Sequence, residues 1–186
     1  MRWRADINIW LSTPGVALVS LALTHRWWRA RLARVRECTW ISGALVGAAS
    51  GIATVGATHL IFNWAGADST LHDAAACLYA AVAAVPRAAL GIAVVLLVVG
   101  AEEVVWRGLA LDALRELGAV GAVAGTALWY ALPMVIAGEG WLALAAMALG
   151  LTWAALRLLT GTFMSAYVAH ATWTLGILFV WPLSPA

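Results

Sequence analysis

Two adjacent carboxylates, Glu102 and Glu103, follow a long apolar run in the middle of the chain. Residues 88–100 carry no charge, and an ionisable side chain in such a span costs roughly 2.5 kcal/mol or more, which marks it as a candidate functional residue. On a helix, Glu103 and Arg107 share one face, so this carboxylate can be neutralised locally. Glu102 lies about 100° round the helix without such a partner. This arrangement suits a general base with a structural neighbour, although two interfacial charges at a helix end would look the same.

A histidine in the last apolar stretch is the second candidate. His170 and Thr174 are one helical turn apart and therefore project from the same face. A histidine in an apolar span is costly without a partner, and a partly buried carboxylate would be a suitable one. We therefore expect Glu102 and His170 to meet. Taken alone, His170 would instead be interpreted as a helix-packing or interfacial residue.

The composition indicates how these residues are positioned. Of the 186 residues, 64% are apolar and 11% are charged, and the mean hydropathy is +0.91. Soluble domains are usually about 45–50% apolar. We predict an integral membrane protein of the all-α class, a polytopic bundle of six to seven transmembrane spans with little mass outside the bilayer.

Two regions are expected along the chain. Residues 1–73 form an N-terminal extension with two spans (7–24 and 39–64) around a basic loop, and residues 74–186 form a core helical domain. Residues 74–101 are too long for one span and short for two, so we expect a break near Pro86. A single crossing there places the later arginines on the same cytoplasmic side as the basic loop, as the positive-inside rule favours.

Several functions are disfavoured by the sequence. The arginines of residues 26–36 alternate with tryptophans beside a span, which is typical of a membrane interface, so we expect no nucleic-acid partner. The chain lacks the His-Glu-x-x-His pattern of metalloproteases, and Ser165 is on a different helical face from His170. A transporter would show matching broken spans in two half-repeats, but we find only the break at Pro86. We expect no metal or cofactor.

The order of these residues resembles a known family. Glu102-Glu103-x-x-x-Arg107, followed later by His170, is similar to the CPBP family, the CAAX prenyl-protease and bacteriocin-processing or Abi proteins, which are glutamic intramembrane endopeptidases. The family has three motifs on separate core helices: Glu-Glu-x-x-x-Arg, Phe-x-x-x-His and His-x-x-x-Asn. The resemblance covers residues 74–181, and the first motif is intact.

The resemblance implies a role for each matching residue. Glu102 would activate water, Glu103 and Arg107 would support it, and His170 would help to form the oxyanion hole. Thr174 replaces the asparagine of the third motif, and its hydroxyl can still donate one hydrogen bond to an oxyanion.

The second motif departs from the family pattern. By spacing, Trp129 replaces the aromatic residue and Pro133 replaces the histidine, and proline has no acid, base or donor in its side chain. His59 is a possible substitute imidazole, although it could also simply form a hydrogen bond between helices. The other consequence is that hydrolysis is lost and the fold binds a partner. We expect Trp129 and Trp173 to contact the substrate.

The expected function follows from the resemblance. It implies hydrolysis of a peptide bond in a membrane-associated protein or peptide within a bilayer, in a bacterial plasma membrane. Analogy with the family is the only ground for naming a substrate, and it offers prenylated tails, bacteriocin leaders and sorting tails. The alternative is a catalytically inactive relative that binds or protects a membrane partner.

Overall fold

The computed structural model describes residues 9–32, 37–65, 70–83 and 88–183, and all regular structure in these residues is helical. The helices are α1 (Ile9–Leu23), α2 (His25–Leu32), α3 (Glu37–Ala65), α4 (Thr70–Ala83), α5 (Ala88–Glu103), α6 (Leu111–Ala113), α7 (Gly118–Ile136), α8 (Gly140–Thr160) and α9 (Phe163–Leu175). A first π segment (Val104–Ala110) joins α5 to α6, a 3-10 turn (Arg115–Leu117) precedes α7, and a second π segment (Gly176–Val180) extends α9. The predicted all-α class is confirmed.

Among the described residues, five helical stretches are long and apolar enough to cross a membrane. They are Trp40–Ala65, Ala89–Ala113, Arg115–Ile136, Gly140–Thr160 and Phe163–Val180. Between 22% and 33% of each apolar window is buried, so most of each surface faces outward, as it does in a protein surrounded by lipid. The chain is therefore an integral membrane protein.

Two further apolar segments are shorter than these spans. Residues Pro14–Leu23 form an apolar helix within the predicted first span. Helix α4 has 14 residues, whereas about 20 are needed to cross the hydrocarbon core. The expected count of six to seven spans is thus roughly consistent with the five candidates, because it also included residues 7–24. The predicted break at Pro86 falls outside the described residues, between the end of α4 and the start of α5.

Glycines with positive φ angles follow two of the helical segments. Gly118 (φ 75°) separates the 3-10 turn from the rest of α7, and Gly161 (φ 68°) ends α8. The Thr162 side chain then begins α9 by accepting a hydrogen bond from the Met164 amide. Because such short connections reverse the chain, the consecutive helices α7, α8 and α9 pack as antiparallel neighbours.

Helix α3 packs closely along α9 at a row of glycines. A methyl group placed on Gly47 would lie 2.5 Å from the Ser165 carbonyl oxygen, and one placed on Gly51 would lie 2.6 Å from the Thr172 Cβ. Such approach is possible only for small residues, as the Gly47-x-x-x-Gly51 pattern suggests. Helix α3 thereby supports the outer side of α9, and the opposite side of α9 faces α5 and α8.

Candidate active site

The first polar group of the site comes from the junction of α5 and the first π segment. Glu103 is the last residue of α5 and Arg107 lies in the π segment that follows. Glu103 Oε1 is 3.0 Å from Arg107 Nη1, and both side chains are fully buried. The buried carboxylate is therefore neutralised from within its own helix, as the spacing of the two residues suggests.

His170 on α9 reaches the same carboxylate. Its Nδ1 is 2.9 Å from Glu103 Oε1 and donates a hydrogen bond to it. The imidazole also stacks on Trp153 of α8, with ring centroids 3.8 Å apart and planes inclined by 20°. Glu103 and Trp153 thus fix the position and the orientation of the ring, with Nδ1 directed at Glu103. The other ring nitrogen, Nε2, is left to face Glu102.

Glu102 lies in a different environment from its neighbour. Its side chain is 37% exposed, and its Oε2 is 3.8 Å from His170 Nε2. The Tyr130 hydroxyl of α7 donates a hydrogen bond to the same oxygen at 3.3 Å. The expected meeting of Glu102 and His170 is therefore present in the structure, and Glu102 is the carboxylate that remains accessible.

A cavity of about 340 Å³ opens in front of Glu102. Its polar end is formed by Glu102, Tyr130, His170 and Thr174, and the remaining walls are almost entirely apolar. Those walls consist of Leu78, Val82, Val94, Val95, Val98, Val99, Met134, Trp173, Ile177 and Leu178. The Thr174 hydroxyl is buried and has no hydrogen-bond partner among the described residues, so it can donate to a group that enters. The arrangement suits an apolar chain with one polar, reactive bond at the Glu102 end.

Comparison with protein families identifies this set of helices. The model of the Rce1-like family, type II CAAX prenyl endopeptidases, matches residues 84–176, which is half of the chain. The chain belongs to this family. The suspected CPBP relationship is therefore confirmed. A search of curated proteins and a search of solved structures each found no match.

In this Rce1-like protein, the residues of α7 that face the site are not the ones assigned to the second motif by spacing. Trp129 is 61% exposed on the outer surface and does not line the cavity, and Pro133 is exposed as well. Tyr130 and Met134, each one residue later, line the cavity instead. Trp129 therefore faces away from this cavity, because a shift of one residue rotates a side chain by about 100°. In either register the position of the motif's histidine holds another residue.

The two remaining candidates are placed differently. Trp173 lines the cavity as expected, and its indole nitrogen donates to Thr58 Oγ1 of α3 at 2.9 Å. His59 does not line the cavity: its Nε2 lies 3.0 Å from the Trp181 carbonyl oxygen, and its ring stacks on the Trp181 indole. His59 therefore connects α3 to the end of the α9 region, and its ring is engaged there instead of beside Glu102.

Sequence reasoning missed two aromatic residues of the site. Tyr130 adjoins Trp129, and spacing alone does not decide which of the two faces inward. Trp153, fully buried beneath His170, lies in a stretch of α8 with no polar pattern that distinguishes it from other apolar residues. Thr174, by contrast, was indicated by the sequence, because it occupies the last position of the third motif. Its hydroxyl has no hydrogen-bond partner among the described residues.

Proposed function

We propose that this Rce1-like protein is a glutamic intramembrane endopeptidase that hydrolyses a peptide bond in a membrane-associated protein or peptide. The observation that supports this proposal is the accessible Glu102 carboxylate, which faces His170 at the polar end of an apolar cavity. Membership of a CAAX endopeptidase family supports the same reaction class. The five apolar helical spans support a location of this reaction inside a bilayer, which we propose is a bacterial plasma membrane.

The proposed reaction begins with a water molecule at the Glu102 end of the cavity. Glu102 removes a proton from this water while the water oxygen bonds to the scissile carbonyl carbon. The carbonyl oxygen becomes an oxyanion, which the Thr174 hydroxyl and a protonated His170 stabilise by donating hydrogen bonds. Glu102 then transfers the proton to the amide nitrogen, and the carbon–nitrogen bond breaks to leave an amine and a carboxyl group.

Glu103 and Arg107 have a supporting role in this proposal. Both are fully buried, so neither can contact a substrate in the cavity. Glu103 holds His170 through Nδ1, and Arg107 balances the charge of Glu103. This support keeps His170 Nε2 directed at the place where the reaction occurs, which is what a preorganised site requires.

One observation favours a second candidate function. Pro133, which the spacing aligns with the histidine of the second motif, has no imidazole, and Met134, which lines the cavity, has a thioether that is at most a weak acceptor. If the remaining groups are insufficient for hydrolysis, the chain would bind or protect a membrane partner in the same apolar cavity.

Comparison of protein termini in membranes distinguishes these two functions. Membranes are prepared from hosts that carry the wild type, Glu102→Gln or no copy, and the peptides with new amino termini are identified. Glu116→Gln is the matched control, because Glu116 is an exposed glutamate on the 3-10 turn. We expect termini that occur with the wild type and Glu116→Gln but are absent with Glu102→Gln and without the protein. Identical termini in all samples, with the protein present in the membrane, would refute hydrolysis and favour partner binding.

A further inference from the structure

Tyr130 lines the cavity and contacts Glu102, but it has no role in the proposed reaction as described above. Its hydroxyl donates to Glu102 Oε2 at 3.3 Å. The same oxygen is the one that lies nearest to His170 Nε2. Among the described residues, no hydrogen bond engages Glu102 Oε1, so one carboxylate oxygen is held by the protein and the other is available to a water molecule.

The Tyr130 ring is held from several sides. The Arg107 guanidinium lies over it, with Cζ 4.5 Å from the ring centroid. Trp106 and Trp153 contact it edge-on, with centroid distances of 5.9 and 6.3 Å. A planar ring clamped in this way gives its hydroxyl a nearly fixed position, because only rotation about the C–O bond remains free. The buried Arg107–Glu103 pair thus acts on Glu102 through Tyr130 as well as through His170.

A fixed donor matters here because a carboxylate on a flexible glutamate has many orientations. The Glu102 side chain is 37% exposed, so packing alone restrains it little. A hydrogen bond from a rigid phenol restricts the carboxylate to orientations that keep Oε2 at Tyr130 and leave Oε1 without a partner among the described residues. Misplacement of a catalytic group by about 1 Å can lower a rate on the order of 100-fold.

We propose that Tyr130 is a positioning residue that fixes the Glu102 carboxylate for water activation. Helix α7 presents no imidazole to the site, and Tyr130 is the hydrogen-bonding side chain that it presents instead. This inference rests on the proposed function. It assigns Tyr130 a role through Glu102 and requires no contact between Tyr130 and the substrate.

The first test uses the Glu102-dependent terminus found in host membranes as its probe. Tyr130→Phe keeps the ring and removes the hydroxyl, and we expect the terminus to form on the order of 10-fold to 100-fold more slowly at equal protein abundance. Tyr167→Phe is the matched control, because Tyr167 is a partly buried tyrosine on α9 that does not line the cavity. We expect this control to match the wild type.

Rescue separates positioning from a general effect on packing. Met134 lines the cavity one turn beyond Tyr130, whereas Pro133 does not line it. An imidazole at residue 134 can donate toward Glu102 or its water, so Tyr130→Phe/Met134→His should recover part of the lost rate. Tyr130→Phe/Pro133→His should not, since that side chain faces away from the cavity.

Infrared difference spectra of the purified protein in lipid nanodiscs give a readout that needs no substrate. The carboxylate band of Glu102 is assigned by its loss in Glu102→Gln. We expect this band to shift in Tyr130→Phe and to be unchanged in Tyr167→Phe.

Each outcome bears on a different claim. A Glu102-dependent terminus that forms equally fast in Tyr130→Phe, or an unshifted carboxylate band, would overturn the role of Tyr130 and leave the proposed hydrolysis intact. The absence of any Glu102-dependent terminus would overturn the hydrolysis and, with it, the positioning role, even if the band shifts.

Discussion

The two neighbouring glutamates lie in different surroundings, and this difference supports the separate tasks that we propose for them. Glu103 is fully buried and contacts Arg107 and His170, while Glu102 faces the cavity and is 37% exposed. A buried carboxylate that already holds two partners is a poor choice for accepting a proton from water. The accessible carboxylate, held by one hydroxyl, is the better base.

Removing one partner of the buried pair should strongly destabilise the fold. Arg107→Leu leaves Glu103 as an uncompensated buried charge, and we expect it to lower the free energy of unfolding by about 3–5 kcal/mol. The double variant Glu103→Leu/Arg107→Leu removes both charges, so it should be closer to the wild type than Arg107→Leu is. Unfolding by increasing SDS in mixed micelles, followed by helical circular dichroism, measures both differences.

The matched control for this prediction is Arg115→Leu. Arg115 forms an ion pair with Asp112 at 3.1 Å, but its side chain is 52% exposed. Such a surface pair contributes about 1 kcal/mol or less. A double variant at least as unstable as Arg107→Leu would contradict the view that the cost arises from an unpaired buried charge.

At the residue scale, the sequence allowed two contacts of the site to be predicted. The spacing of Glu103 and Arg107 predicts their contact, and the cost of a histidine in an apolar span predicts a carboxylate partner for His170. The choice between Trp129 and Tyr130 was not predictable, because both are aromatic and neither is polar enough to exclude the lipid-facing side. In the structure, the rotation of α7 about its own axis directs Tyr130 toward the cavity and Trp129 toward the outer surface.

At the scale of elements, two π segments flank the site. The first begins directly after Glu103, and the second begins at Gly176, shortly after Thr174. A π turn is wider than an α turn and shifts the register of the residues that follow it, which is why such segments are frequent at functional sites. The sequence has no established pattern for π segments, so this change of register was not predictable from it.

The contact between α3 and α9 is an element-scale feature that the Gly47-x-x-x-Gly51 pattern indicates only in part, because the pattern does not name the partner helix. The small residues on α3 suggested close packing, and the structure shows which helix they approach. Gly176, at the start of the second π segment, also approaches α3, since a methyl group on it would lie 2.7 Å from Val55 Cγ2. Both ends of α9 therefore rest on α3, and this contact holds His170 at a fixed distance from α5.

Substitution of one glycine on α3 tests this contact. In Gly47→Ala the new methyl group would meet the backbone at Ser165, which cannot rotate away, so the helices must separate. We expect the free energy of unfolding to fall by about 1–3 kcal/mol. Gly56→Ala on the same helix is the control, because no atom lies within 4 Å of the added methyl group.

The control should have the opposite sign. Alanine is a better helix former than glycine by up to about 1 kcal/mol, so Gly56→Ala should be neutral or slightly stabilising. The same SDS titration reports both variants. Equal stability of Gly47→Ala and Gly56→Ala would show that α3 and α9 adjust to each other more freely than this packing implies.

At the scale of the whole molecule, side-chain contacts give the direction of every core helix. Helix α3 runs parallel to α9, because Gly47 approaches Ser165 while His59, further along, reaches Trp181. Helices α8 and α9 are antiparallel, since Trp153 meets His170 and Thr160 bonds to Ser165. Helices α3 and α9 therefore run in one direction and α8 in the other.

The remaining directions follow in the same way. Gly150 of α8 lies against Ala127 of α7, and Ala154 packs with Ala122, so these two helices are antiparallel. Leu111 packs with Ala122 whereas Glu102 meets Tyr130, so α5 is antiparallel to α7. Helices α3 and α5 thus run in opposite directions, and the chain between them makes no net crossing. Helix α4, which lies between α3 and α5 in the chain, accordingly does not cross the membrane.

This topology collects the arginines on one side. Every arginine whose side chain the structure describes lies at the end where α3 begins and where α5 and α8 end; these are Arg26, Arg29, Arg107, Arg115 and Arg157. By the positive-inside rule we expect this side to be cytoplasmic. Glu102 is located near the same end of its span, so we expect the Glu102 end of the cavity to lie nearer the cytoplasmic surface.

Cysteine labelling tests this orientation. In a background with Cys38→Ala and Cys77→Ala, Glu116→Cys places a thiol on the 3-10 turn after α5, and Gly140→Cys places one at the start of α8, where no atom lies within 4 Å of the added Cβ. A membrane-impermeant maleimide should label Gly140→Cys in intact cells and should label Glu116→Cys only after lysis. Labelling of Glu116→Cys in intact cells, with Gly140→Cys protected, would reverse the orientation and place Glu102 nearer the outer surface. Labelling of both thiols in intact cells would contradict the crossing of α7, because that helix alone separates the two positions.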